Sequence, residues 1–125
     1  MTPRMKMGHT IARFRIRAAG GKRSHTLDLL VDTGSTYTWI DGGFLRGLGI
    51  VPTRRRRFET IEGRRAERRL GEAVVEYEGE AATTVVVFGR RTDAQVLGVH
   101  ALEGLGLAVD PERKRLRKLP TVLAL

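Results

Sequence analysis

The chain has 125 residues and a net charge of +9, from 23 Lys and Arg against 14 Asp and Glu. That length suits one domain, residues 1–125, with a hydrophobic core of its own. It has no Cys, which excludes disulfides, zinc–thiolate sites and thiol nucleophiles.

The start, Met1-Thr2-Pro3-Arg4-Met5-Lys6-Met7, is basic but leads into no apolar run of signal-peptide length. No stretch approaches the roughly 20 apolar residues that span a bilayer. A soluble, cytoplasmic protein with no membrane partner is expected. Next, Phe14, Ile16 and Ala18 alternate with Arg13, Arg15 and Arg17, the period-two pattern of a half-buried strand. Gly20-Gly21 marks a turn, and Thr26 to Val31 reads as a second strand, continuously apolar at Leu29-Leu30-Val31. This hairpin delivers a buried strand directly to Asp32-Thr33-Gly34-Ser35.

From Arg54 to Arg69 the chain is polar and crowded with like charge, so an exposed hairpin or long loop fits better than a packed helix. Ala73 to Tyr77, a Glu78-Gly79 turn and Thr83 to Phe88 form a second hairpin rich in β-branched residues. Then come Val96-Leu97-Gly98, a short helical piece around Ala101-Leu102-Glu103, a strand at Leu107-Ala108-Val109 and a turn at Asp110-Pro111. The apolar end, Thr121 to Leu125, is expected to pair as a terminal strand, a subunit interface being one place to do so. An internal echo suggests a two-fold plan. Phe44-Leu45-Arg46-Gly47-Leu48-Gly49-Ile50 resembles Ala101-Leu102-Glu103-Gly104-Leu105-Gly106-Leu107, and each copy is expected to follow a strand ending in Gly, at Gly34 and Gly98.

Asp32 carries the chemistry. A carboxylate at the end of an apolar strand is costly unless something uses it. Thr33 and Gly34 allow a sharp turn, and the Ser35 hydroxyl and neighbouring backbone N–H groups are placed to hold the carboxylate. The same four residues are also ordinary turn composition.

Leu29 to Ile40, with Asp32-Thr33-Gly34-Ser35 at its centre and Trp39 after it, resembles the active-site strand and loop of retropepsin-like (clan AA) aspartic proteases. Val96-Leu97-Gly98-Val99-His100-Ala101-Leu102 resembles that family's second signature, two apolar residues, a Gly and a short helix. Between them the basic segment Ile61-Glu62-Gly63-Arg64 stands where the family carries its flap. The likeness runs over roughly residues 10–119 and is greatest to the bacterial and archaeal single-lobe members. It implies an all-β fold with one or two short helices, a closed β-barrel or sandwich with ψ-loops. It implies a peptidase in which Asp32, Thr33, Gly34 and Ser35 form the catalytic loop. Ile61, Glu62, Gly63, Arg64, Leu97 and Gly98 would then meet or frame the substrate, a peptide or protein.

The reaction needs two carboxylates sharing a proton, one activating water and one protonating the substrate carbonyl. The chain holds one Asp-Thr-Gly, so the second Asp32 must come from another copy, and a homodimer is a requirement of the chemistry. No cofactor and no metal are expected. Two features depart from the family. Retroviral members usually carry an acidic residue after the motif and an Arg after the later Gly, where this chain has Thr36 and Val99. The flap has a single Gly, Gly63, flanked by Arg64 and Arg65.

Other readings carry less. His9, His25 and His100 are scattered and read as structural, Trp39 as a core residue beside the loop. Glycines at 20–21, 42–43 and 47–49 lack a phosphate-loop pattern. The arginine clusters at 54–57, 64–69 and 113–118 fit solubility, an anionic partner or acidic substrates. With no recognition helix or aromatic ladder beside them, no nucleic acid is expected. Two alternatives of other classes stand beside the peptidase: an inactive dimeric binding module of the same fold, and a basic nucleic-acid-binding β-domain.

Overall fold

The computed structural model describes residues 9–60, 62–122 and 124. The alternating arginines and apolar residues become β1 (Thr10–Arg17), with Phe14 and Ile16 fully buried and Arg13 and Arg15 in solvent. A turn through Gly20, at φ +71°, returns the chain as β2 (Ser24–Val31), antiparallel to β1 with Phe14 opposite Leu27. After the Asp32 loop come β3 (Thr38–Asp41) and α1 (Gly42–Gly47), whose first turn is capped by the Asp41 carboxylate accepting from the Phe44 N–H at 3.1 Å.

The arginine-rich middle is a hairpin of β4 (Arg54–Glu59) and β5 (Arg65–Tyr77). Extended backbone lets its guanidinium groups reach water, as like charges require, with the exception of Arg68. The strand β5 runs on for 13 residues and turns at Glu78-Gly79 into β6 (Glu80–Gly89). Both turn residues have positive φ, 47° and 86°, the geometry whose twist matches that of the flanking strands. The short β7 (Val96–Leu97) leads through Gly98 into α2 (Val99–Leu105), and β8 (Leu107–Asp110) pairs with β9 (Arg115–Lys118) in a separate ribbon.

Among the described residues the main sheet has seven strands in the order β1-β2-β7-β3-β6-β5-β4. It is mixed: β2 runs parallel to β7 and β3 parallel to β6, whereas the other ladders are antiparallel. This corrects the expected all-β closed barrel or sandwich. Closure demands a neighbour on both edges of every strand. Among the described residues β4 pairs with β5 alone, and β1 meets β5 over only three residue pairs, Arg15–Arg17 against Val74–Glu76. The β4–β5 arm therefore continues past that contact with a free edge, and the two helices pack on a mixed α/β sheet. Gly71 sits where β5 changes neighbours, because a side chain there would meet the Val51 carbonyl at 2.8 Å.

The core lies between the sheet and the helices: Leu29, Ile40, Val75, Val86 and Leu97 from strands, Leu45, Ala101, Leu102 and Leu105 from helices. The sequence echo is a real structural repeat. Leu45 and Leu102, Leu48 and Leu105, and Ile50 and Leu107 are buried in matching places. Gly49 and Gly106 follow each helix at φ +83° and +67°, their N–H groups donating to the Arg46 and Glu103 carbonyls. The strands before the two copies differ from expectation: the first copy follows β3, ending at Asp41, and Gly34 belongs to an earlier loop. At the C-terminus, Thr121 and Val122 are exposed and in no strand, and Leu123 and Leu125 lie outside the described residues.

Candidate active site

Asp32 follows the last residue of β2, whose neighbours Leu29 and Val31 are buried. Its own N–H donates to the Leu97 carbonyl at 2.9 Å, which ties the loop to β7. Asp32 is half-buried, and its Oδ1 accepts from the Gly34 N–H at 2.9 Å. The Ser35 N–H donates to the Asp32 carbonyl at 3.1 Å. The Ser35 hydroxyl, expected to hold the carboxylate, instead donates to the Tyr37 carbonyl at 2.7 Å. Ser35 thus shapes the loop, while a backbone amide holds the acid. Thr33 is exposed beside it.

The second half of the frame comes from Gly98. Its N–H donates to the fully buried Thr38 hydroxyl at 3.1 Å, the Val99 N–H to the Ser35 carbonyl at 2.7 Å, and the His100 N–H to the Thr36 carbonyl at 3.2 Å. A Cβ on Gly98 would collide with the Tyr37 carbonyl and lie 2.8 Å from the Ser35 carbonyl, so glycine is required by close approach. Leu97, fully buried, and Gly98 hold the Asp32 loop from behind rather than facing solvent.

In front of Asp32 opens a cleft of about 840 Å³. The loop from Asp32 to Tyr37 forms one wall, Trp39 and Val96 line it farther in, and the β4–β5 hairpin stands opposite with Arg56 to Thr60, Ala66 and Arg68. Three aromatic rings bridge the walls edge to face: Phe58 lies 4.9 Å from Trp39 and 6.3 Å from Tyr37, centroid to centroid. Trp39 is half-buried at this junction and lines the cleft, where a core position was expected. Among the described residues, those lining the cleft do not include the hairpin tip Glu62, Gly63 and Arg64, which are exposed; Ile61 lies outside the described residues. The tip is closed by the Thr60 N–H donating to the Arg64 carbonyl and the Gly63 N–H donating to the Thr60 carbonyl, with Gly63 at φ +85°.

Two residues of the wall escaped sequence reasoning. Arg68 grips Asp93 bidentately, Nε to Oδ2 at 2.8 Å and a terminal nitrogen to Oδ1 at 3.1 Å, and the Arg90 N–H adds a third bond at 2.8 Å. The Arg68 side chain is 10% exposed and that of Asp93 20%, so the pair is shielded from bulk water. The hydrogen bonds from Arg68 hold the Asp93 carboxyl below the usual range, against the opposing effect of burial. Nothing in the sequence links an Arg and an Asp 25 positions apart. Phe58 did leave a trace, as an apolar residue directly after four arginines. The histidines lie apart: His25 packs its ring against Phe44 and His100 against Tyr37. Among the described residues no group of three or more His, Asp or Glu is arranged to hold a metal ion. No described helix is long and apolar enough to cross a membrane.

No protein-family model matches the chain, and no curated protein matches it.

Proposed function

We propose that the chain is an aspartic peptidase active as a homodimer, in which Asp32 of each copy supplies one carboxylate. The observation that carries this reading is the Asp32 loop itself. The carboxylate of half-buried Asp32, fixed by the Gly34 amide and backed by Leu97 and Gly98, faces a cleft of about 840 Å³ beneath a two-stranded arm. That volume suits several residues of an extended peptide.

With two copies joined at this loop, one carboxylate accepts a proton from water as the oxygen attacks the peptide carbonyl carbon. The other gives its proton to the carbonyl oxygen. Collapse of the tetrahedral adduct breaks the C–N bond, and the departing amine takes up a proton from the dyad. Each step needs the second Asp32, so a lone subunit is inert. Support for self-association comes from Ile11, 63% exposed on β1 and opposite Leu30 in the strand register, just before the Asp32 loop. Covering that side chain removes apolar surface from water, which favours docking of a second copy there.

The test is the variant Asp32→Asn, assayed on a mixed peptide library with sedimentation of the same sample. Cleavage should fall by about 10²- to 10⁴-fold or more, with the dimer intact. Undiminished cleavage by the variant, or full activity in a monomeric parent, refutes the assignment.

A further inference from the structure

We infer that the cleft selects an extended peptide carrying acidic side chains, which Arg56 and Arg57 receive along the free edge of β4. The inference deepens the peptidase reading and rests on it for the identity of the site. Three observations lead there. Five consecutive residues, Arg56 to Thr60, line the cleft. The first four of them belong to β4, where successive residues point to opposite faces, so the wall includes the backbone edge of the strand.

Among the described residues that edge is unpaired, because β4 bonds only to β5. Its outward N–H and C=O groups offer a ladder to another extended chain. A second copy of this protein is a poor occupant, since four successive arginines, Arg54 to Arg57, would face four more on a chain of net charge +9. An acidic chain is favoured by the same charge.

The charges inside the cleft sort the same way. Arg68 is taken by Asp93, and Glu59 leans toward Arg65 at 3.8 Å. Arg55, outside the cleft, lies 3.8 Å from Glu67. Among the described residues, no carboxylate lies within ion-pair distance of Arg56 or Arg57. Both are exposed, and Phe58 beside them closes against Trp39 and Tyr37. These rings meet edge to face and pack on one another, so they form an apolar wall for a side chain rather than open platforms for stacked bases. The combination favours a peptide over a nucleic acid.

The experiment compares cleavage of three peptides that differ only in carrying Glu, Gln or Lys at the variable positions. Binding of the Glu peptide and of an oligothymidylate of equal charge is measured on the Asp32→Asn variant. The Glu peptide should be preferred, by about three- to fivefold for each arginine engaged, and the preference should shrink as salt is raised. Arg56→Gln with Arg57→Gln should abolish the preference while leaving the melting temperature unchanged or higher. Arg56→Glu with Arg57→Glu should turn it toward the Lys peptide. Charge-blind cleavage, or a preference that survives the double Gln variant, overturns the inference and leaves the peptidase reading intact. Tighter binding of the oligothymidylate overturns the choice of a peptide. Arginine-dependent binding of the Glu peptide with no cleavage of any peptide upholds the inference and sinks the peptidase reading alone.

Discussion

Replacing Gly98 by Ala tests whether the Asp32 loop is held by close backbone contact. The added Cβ would run into the Tyr37 carbonyl and stand 2.8 Å from the Ser35 carbonyl. Both obstacles are main chain, so no side chain can rotate away. Either the loop Ser35–Tyr37 or the start of α2 must move. Four hydrogen bonds cross that seam: Asp32 N–H to Leu97, Gly98 N–H to Thr38, Val99 N–H to Ser35 and His100 N–H to Thr36. Overpacking alone costs about 1–3 kcal/mol. Losing two of the four bonds adds about 1 kcal/mol each. The expected loss is then about 3–5 kcal/mol, a large part of the 5–15 kcal/mol typical of a whole domain. At this chain length it lowers the melting temperature by about 10–20 °C, read by circular dichroism with urea titration alongside. Gly47→Ala is the control: nothing lies within 4 Å of its added Cβ in α1. It should stabilise by about 0.4–1 kcal/mol. A Gly98→Ala melting point within about 2 °C of the parent, or equal losses in the two variants, would show that close contact at Gly98 does not hold the loop.

Thr38 and Thr84 form a second test, since both are buried and only one uses its hydroxyl. Thr38→Val strips the Gly98 N–H of its acceptor and should cost about 1–3 kcal/mol by chemical denaturation, whereas Thr38→Ser should recover part of the loss. Among the described residues the Thr84 hydroxyl has no partner, so Thr84→Val should be neutral or stabilising by up to about 1 kcal/mol; a cost equal to that at Thr38 would contradict this. Asp93→Asn should cost about 1–3 kcal/mol at pH 7, by breaking the charge-assisted fork to Arg68. The folded-state pKa of Asp93 is depressed, so its contribution is complete above the unfolded value of about 3.9 and fades as pH falls through the lower folded value. The stability gap between parent and variant should therefore be full from pH 7 to 5 and close below about pH 4. Parallel stability curves down to pH 2.5 would show that the pair does not supply it.

Much of the secondary structure is written in local pattern. In β1 the alternation is legible because Phe14 and Ile16 face the core while the arginines face water. Glu78-Gly79 and Asp110-Pro111 announce turns because positive φ and side-chain capping need those residue types. At the second, the Asp110 carboxylate accepts from the Glu112 and Arg113 N–H groups. The two Leu-Gly segments were recognisable as copies because each must bury its leucines and then reverse through a left-handed glycine. Other elements carry no such mark. The six-residue α1 is too short for a helical period to show, and β7 has two residues. In β9 only Leu116 is buried, among Arg115, Arg117 and Lys118, so it exists because β8 offers it an edge.

The sequence alone marked Asp32-Thr33-Gly34-Ser35, the buried strand before it, the Leu97-Gly98 segment and the basic hairpin, each a matter of residue type within a short window. Tertiary structure decided that Ser35 bonds Tyr37 rather than Asp32, that Arg68 belongs to Asp93, and that Phe58 turns in to meet Trp39. It also decided that the sheet stays mixed and ends on β4. These outcomes depend on which backbone edges meet. Edge pairing draws on amide and carbonyl groups that nearly every residue carries, so it leaves little trace in the order of side chains.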